Sequence, residues 1–317
     1  MAADRPVLIL TCADDPTSDV VVNELNNRDV PLFRCDPADV LAGGLEVSAR
    51  FGEDGMRGYL RTEARSLDLA AVRSVFYRRP SSYAAPTAMS EQDGRFAKEQ
   101  AKHGMAGIMA SIRGRWVNHL WRAMEAEFKP SQLTVAREVG FTVPPTLITN
   151  SPQDAGEFAK AHGPIIYKPL QNTNLVGPDD NAAAVWVDEV TPDELDDSIR
   201  LTLHLFQRQV EKSADVRVTV IGNQVFSVRI ESPYIDWRRD YDQLSYAVLD
   251  TPDHIARACR RYLDRFGLLF GAFDFGIAHD GSWVWYECNT GGQWYWLELE
   301  TGLPMTAALA DLLEIRS

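Results

Sequence analysis

The sequence predicts an α/β fold whose chain closes on an antiparallel sheet, and three observations carry that expectation. At the start, the apolar run VLIL, a set of helix caps and the segment VPLFRC read as a β–α–β opening. Near the end, GAFDFGIA, a turn at 279–281 and SWVWYECN read as a long hairpin. Between them helical and extended patterns alternate over a chain of 317 residues, which is long enough for two or three lobes.

Taken in order, residues 7–12 form a candidate parallel strand. Asp15, Pro16, Thr17 and Ser18 then supply helix-start chemistry ahead of the amphipathic VVVNELNNR. No GxGxxG follows the first strand, so the dinucleotide fingerprint is absent. LEVSARF and MRGYLRTE alternate as an antiparallel pair across GEDG. The strand at 74–80 ends in Arg78 and Arg79, which suit either an exposed strand end or an anion site at the carboxyl edge of an α/β sheet. Residues 90–114 are helical, and His103 there has no partner at ligand spacing, which makes it structural. WVNHLW is a connection into AMEAEFKPSQLTVAREVG, expected as one amphipathic helix stopped at Gly140.

FTVPPTLITN follows as an extended, proline-rich link, and SPQDAGEFAKAHG as a capped helix. PIIYKPL is a strand carrying Lys168, and QNTNLVGPDDN a polar loop expected to be mobile. AAAVWV reads as a strand and TPDELDDSIRLTLHLF as a helix opened by a threonine cap. LFQRQVEKSADVRVTVIGNQVFSVRIES gives a strand, a link and a hairpin turning at Gly222 and Asn223. A helix from Asp253 to Phe266 has a basic face on which Arg260 and Arg261 are solvated, and MTAALADLLEI is a closing helix. There are no internal repeats and no low-complexity tract.

Composition narrows the function classes. At 45% hydrophobic and 24% charged residues the chain reads as an ordinary soluble globular protein. No apolar run reaches the length of a membrane span, and MAADRPVLILTC lacks a secretory pattern. Cys12, Cys35, Cys259 and Cys288 show neither paired nor metal-ligand spacing, which implies reduced thiols and a cytoplasmic location. A net charge of −13 argues against general nucleic-acid binding, so an anionic substrate must be met by locally placed arginines.

The terminal hairpin carries the sharpest chemical signal. Asp274 lies on one strand, and Glu287 and Asn289, two apart, share a face of the other. Acidic residues in a hairpin are most often solvated. Here Asp274 sits between Phe273 and Phe275, and a carboxylate in so apolar a setting is costly unless paired with a cation. Three converging oxygen donors suit a hard divalent cation carrying phosphate, magnesium on a nucleotide first of all. Upstream, Lys129, Lys168, the QRQV segment at 207–210, Lys212 and Arg217 complete a list in which cations neutralise a triphosphate. Taken singly, Lys129 reads as a solvated helix-start lysine and Arg217 as a cross-strand ion pair.

From Trp116 onward the chain resembles the ATP-grasp superfamily, and more narrowly the graspetide synthetases, the microviridin-type ribosomal-peptide cyclases. The resemblance rests on FKPSQLTVAREVGFTVPPTLITNSP, IIYKPL, QRQVEKSADVRVTVIGNQVFSVRIES, YIDWRRDY, the tail FGAFDFGIAHDGSWVWYECNTGGQWYWLELETGLP, and YRRP at 77–80. Two departures are a loop after Lys168 with the single glycine Gly177, and Glu211 where the family often has proline.

The resemblance implies an N-terminal α/β pre-ATP-grasp domain (1–115), a central α+β subdomain (116–205) and a C-terminal antiparallel-sheet subdomain with the metal site (206–317). Carried onto this chain, it implies that Lys129 and Lys168 contact the nucleotide phosphates, and that Gln209 and Val210 offer hinge backbone to adenine with Lys212 beside them. Arg217 would face the transferring phosphoryl group, making Arg217 and Lys168 the catalytic pair. Asp274, Glu287 and Asn289 would bind Mg2+. Arg78, Arg79, Arg229, Arg238 and Arg239 are candidates for holding acidic side chains of the substrate.

The activity implied is ATP-dependent macrocyclisation of a ribosomal precursor peptide, a leader followed by a core rich in Thr, Asp and Glu, in RiPP biosynthesis. ATP phosphorylates an Asp or Glu side chain, because a carboxylate oxygen is otherwise a poor leaving group. A Thr or Ser hydroxyl or a Lys amine of the same peptide then attacks, forming an omega-ester or amide link and releasing ADP and phosphate. The family further suggests a homodimer, with no membrane or nucleic-acid partner. Two other readings stand beside this one: an ATP-grasp carboxylate–amine ligase acting on a small amino acid or a protein tail, and a nucleotide-binding regulatory protein without turnover.

Overall fold

The structure is a computed structural model that describes residues 5–171, 175–176, 182–183 and 185–315. The first lobe opens with β1 (Val7–Leu10), α1 (Pro16–Asn27), β2 (Leu32–Cys35) and α2 (Asp39–Ala42). β3 (Glu46–Gly52), β4 (Gly55–Arg61) and β5 (Ser66–Asp68) form a small antiparallel sheet, ahead of β6 (Ser74–Tyr77), α3 (Glu91–Ala110) and β7 (Arg115–Val117). A parallel sheet in the order β2-β1-β6-β7 is the core of this lobe. Every residue of β1 is fully buried, as a run apolar on both faces requires.

WVNHLW is therefore more than a connection, since its first residues complete that sheet. The next residue, Asn118, ties this strand to the far end of the chain. Its amide donates to the carbonyls of Phe270 and Thr290, and its oxygen accepts from the N–H groups of Leu269 and Phe270. The expected single helix after it is two, α4 (Leu120–Glu127) and α5 (Lys129–Glu138). Pro130 has no N–H to offer the carbonyl of Ala126, so the chain breaks at the extended Phe128. The Gln132 side chain donates to that carbonyl instead, at 2.7 Å.

The middle of the chain contains β8 (Thr146–Thr149), α6 (Pro152–His162), β9 (Ile165–Lys168), β10 (Leu175–Val176), β11 (Ala182–Ala183), β12 (Asp188–Val190) and β13 (His204–Arg208). Four of these form a sheet in the order β12-β9-β13-β8. Two expectations fail here. TLIT, taken as a link, is the edge strand β8, and TPDELDDSIRLTLHLF is not a helix. Thr191 and Glu194 form a capping box around one short 3-10 turn, a second turn covers Asp197–Leu201, and the chain is extended again by His204. Asp196 accepts from the Ser198 N–H, a local bond that competes with helix propagation. The apolar residues of β13 gain more by pairing in the middle of the sheet.

Among the described residues of AAAVWV, Ala182–Ala183 form a strand and residues 185–187 are in none. In the loop predicted to be mobile, residues 172–174 and 177–181 lie outside the described residues, and Gly177 with them.

The last part contains β14 (Lys212–Ile221), β15 (Gln224–Glu231), β16 (Ser245–Leu249), α7 (Asp253–Phe266), β17 (Phe270–Ala278), β18 (Trp283–Asn289), α8 (Tyr295–Thr301) and α9 (Met305–Glu314). The strands form an antiparallel sheet in the order β16-β15-β14-β17-β18. Residues of even number on β14 (Val216, Val218 and Val220) join Phe273, Phe275, Trp285 and Cys288 in a core under α7. Helix α9 runs back to the first lobe and packs with α1 and β1 in a second core. Strand β7 straddles the expected division after residue 115, and β13 straddles that after 205.

Candidate active site

The alternation that sends the valines of β14 under α7 turns its odd-numbered residues the other way, toward the central sheet. Between the two sheets lies a cleft of about 750 Å³, bounded by β9 and β13 on one side and by β14, β17 and β18 on the other. Ile166, Val187 and Ile235 give it apolar walls, while Lys129, Lys168, Asp274 and Glu287 give it charge. The flanking phenylalanines noted in the sequence lie on the opposite face of β17, in the core under α7.

On the sheet side, Arg217 and Asp274 stand opposite one another across β14 and β17, with Nε 3.0 Å from Oδ1. Asp274 pairs with Glu287 across β17 and β18, and the register then slips by one residue, leaving Tyr286 as a β-bulge. The bulge breaks the period of two. Trp285 and Cys288 both point into the core, while Tyr286 and Glu287 both line the cleft. Asn289 donates to Asp274 Oδ2 at 3.2 Å and to Glu287 Oε1 at 3.3 Å, so the three predicted metal ligands do converge.

A magnesium ion suits this donor set. The Asn289 amide stands beside Asp274 Oδ2 and Glu287 Oε1, and turning it over would set its oxygen next to those two carboxylate oxygens. Among the described residues no group of three or more His, Cys, Asp or Glu side chains could hold a metal, and the third oxygen donor beside Asp274 and Glu287 is an amide, that of Asn289. Burial pushes Asp274 up to about 6, with Arg217 opposing and Glu287 adding to the shift. Burial acts on Glu287 in the same sense but is outweighed by Lys129, Arg238 and Lys168, which hold it well below the usual carboxylate range.

Those cations come from four different elements. Lys129, the first residue of α5, places Nζ 2.7 Å from Glu287 Oε2. Lys168, at the end of β9, sits with Nζ 4.8 Å from the centre of the Tyr286 ring. Burial pulls its pKa down to about 8, with Glu287 opposing and Lys129 and Arg238 reinforcing. Arg238 is held in a fork by both oxygens of Asp236, each at 2.8 Å, and reaches to 3.8 Å from Glu287. Arg217 is buried under Trp237, and its Nε and Nη1 make no hydrogen bond. Its Nε is turned to Asp274 Oδ1, which leaves Nη1 as the buried donor open to an anion.

The remaining predicted residues divide. Gln209 and Val210 line the cleft, but the Gln209 N–H already donates to the Pro164 carbonyl at 2.9 Å, leaving only its own carbonyl to a ligand. Lys212 also lines it, yet its ammonium is spent on both oxygens of Asp215 and on the Ile235 carbonyl. Arg78 lies behind the cleft, bonded to the carbonyls of Gly291 and Gly292. Arg79 is exposed, Arg229 pairs with Glu231, and Arg239 stacks near Tyr234, all three outside the cleft lining.

Sequence reasoning missed Tyr286, Asp215 and Asp236 as parts of this site. Asp236 lay in view within YIDWRRDY, whereas the bulge that turns Tyr286 inward has no signature in a pattern of period two.

Residues 6–124 match the family model described as the MvdD pre-ATP grasp domain. No curated protein matches the chain by sequence. Macrocyclase MdnC, bound with precursor peptide MdnA, from Microcystis aeruginosa MRC superposes with a TM-score of 0.88 at 26% identity, over 97% of this chain and 99% of that one. Macrocyclase MdnB from the same organism gives 0.81 at 27% identity, over 98% and 99%. A RiPP-associated ATP-grasp ligase from Chryseobacterium gregarium, in complex with ADP and a leader and core peptide, gives 0.89 at 22% identity over 98% and 96%, a likeness of fold.

Proposed function

We propose that the chain closes side-chain rings in a ribosomally made precursor peptide at the expense of ATP, a reading supported by its end-to-end likeness to the macrocyclases MdnC and MdnB and by its match to a pre-ATP-grasp domain. The observation that carries this reading is one cleft lined by Lys129, Lys168, Asp274 and Glu287, with Arg217 and Asn289 set against Asp274 behind that lining. The whole-length likeness to macrocyclases, one of them bound with its precursor peptide, supports the choice of substrate class.

In this reading Lys129 and Lys168 hold the nucleotide phosphates, and Ile166, Val187 and Ile235 cover the base. The Gln209 carbonyl and the Val210 amide select adenine. Asp274, Glu287 and Asn289 would hold magnesium, which would supply positive charge against the phosphates. Arg217, paired through Nε with Asp274, directs its Nη1 at the peptide carboxylate and then at the acyl phosphate made from it, holding charge that develops there. A Thr or Ser hydroxyl or a Lys amine of the same peptide displaces the phosphate. The protein need not form a covalent bond of its own, and burial pushes the thiols of Cys35, Cys259 and Cys288 up, away from nucleophilic thiolate.

Magnesium, ATP and a peptide with a leader and a Thr-, Asp- and Glu-rich core should yield one lost water per link by mass spectrometry, with ADP as product. An unchanged peptide mass from folded, ATP-binding protein would count against the proposal. ADP released with free amino acids and no peptide would favour a small-molecule ligase instead. We further propose a cytoplasmic protein that forms a homodimer, and light scattering on the purified protein reads the dimer directly.

A further inference from the structure

Arg78 is the one predicted substrate arginine that is buried, and nothing in the proposed reaction uses it. It follows β6 at the carboxyl edge of the first sheet, with 2% of its side chain exposed. Its Nε faces Asp15 Oδ2 at 3.4 Å, and Asp15 is itself fixed by the hydroxyls of Thr11 and Ser18. Its Nη1 donates to the carbonyl of Gly291 at 2.7 Å and to that of Gly292 at 3.2 Å. Nε and Nη2 make no hydrogen bond, so the charge is kept buried at a cost that an apolar side chain would avoid.

The turn it grips lies against the chemistry. A Cβ on Gly292 would stand 3.2 Å from Arg217 Nη1, 3.2 Å from Asn289 Cβ and 2.6 Å from Ala272 Cβ. The Gly292 N–H also donates to the Asn289 carbonyl. Any shift of this turn therefore moves the third metal donor and crowds or frees the catalytic arginine. From this geometry we propose that Arg78, pinned by Asp15, is a positioning residue: the first lobe uses it to set the 289–292 turn and so the orientation of Asn289 and Arg217. The proposal rests on reading the cleft as the nucleotide and metal site, and not on the identity of the peptide.

The test is Mn2+ affinity in the presence of ADP, read from the electron paramagnetic resonance of free Mn2+, for the wild-type protein and Arg78→Ala, Arg78→Lys and Asp15→Asn. Loss of a supporting partner behind a ligand typically costs 10–100-fold. Arg78→Ala should thus lose about tenfold or more in Mn2+ affinity while binding ADP in EDTA within about twofold of wild type. Millimolar guanidinium should restore the Ala variant in part, and Asp15→Asn should weaken Mn2+ in the same direction. Unaltered Mn2+ affinity in Arg78→Ala and Asp15→Asn overturns the proposal, as does a parallel loss of metal-free ADP binding, which marks a merely structural role. Should Arg78→Ala fail to fold, Arg78→Lys and Asp15→Asn carry the same comparison. Wild-type protein that binds Mn2+ with ADP but leaves every peptide unchanged sinks the peptide reading alone.

Discussion

Glu287→Gln should tighten metal-free ATP binding while abolishing turnover with metal. In the free protein the Glu287 carboxylate is neutralised by Lys129 at 2.7 Å, with Arg238 at 3.8 Å. ATP arriving without metal must draw Lys129 away and place phosphate charge near a carboxylate. Two unit charges 2.7 Å apart attract by about 6 kcal/mol at an effective dielectric of 20. Both side chains are largely buried, 19% and 17% exposed, so desolvation cancels most of that attraction. A net effect of about 1–2 kcal/mol corresponds to a factor of roughly 5–30. Titration calorimetry in EDTA should therefore find ATP bound roughly 5–30-fold tighter by Glu287→Gln, whereas in excess Mg2+ turnover should vanish. Equal or weaker metal-free binding, or surviving turnover, would refute the view that this carboxylate trades a lysine for a metal ion.

Three further outcomes follow from the same geometry. Gly276→Ala puts a Cβ 2.1 Å from Tyr286 Oη, so the ring must leave its place beneath Lys168. ATP affinity should fall by about 1 kcal/mol, the worth of the lost cation–π contact, and an unchanged Kd would remove Tyr286 from the site. Asn118→Ala strands four buried backbone partners, so stability should drop by about 3 kcal/mol in urea unfolding, and a loss below about 1 kcal/mol would contradict its bridging role. Lys168 titrates near 8 in the free protein, below an ordinary lysine, so between about 8 and 10 the unfolded chain binds more protons and this group makes stability rise with pH. Phosphate should restore the charge, and ATP binding at pH 8 should take up protons in calorimetry across buffers of different ionisation enthalpy, an uptake absent from Lys168→Met.

The order of the chemistry was legible in the sequence because period-two arithmetic is robust over long strands. Asp274 opposite Glu287, and Asn289 two residues on, needed only the hairpin. Where the sheet departs from regularity the reading thinned out, as at the bulge that turns Tyr286 inward. The break at Pro130 was in plain view, yet the helical spacing on both sides suggested a single helix. TPDELDDSIRLTLHLF misled for a different reason. Its caps are real but serve short turns, and the strand they lead to is stabilised by partners far away in the chain. Lys212 shows the limit of assigning roles to charges one at a time, since its ammonium is already claimed by Asp215 and Ile235.

The most direct measurement is a crystal structure with a non-hydrolysable ATP analogue and Mn2+, located by its anomalous signal. The account predicts a Mn2+ peak about 2.1 Å from oxygens of Asp274, Glu287 and Asn289, the spacing for a magnesium-like ion, with Lys129 and Lys168 turned onto the phosphates. A nucleotide bound outside the cleft, or metal density away from those three side chains with Lys129 still on Glu287, would contradict it.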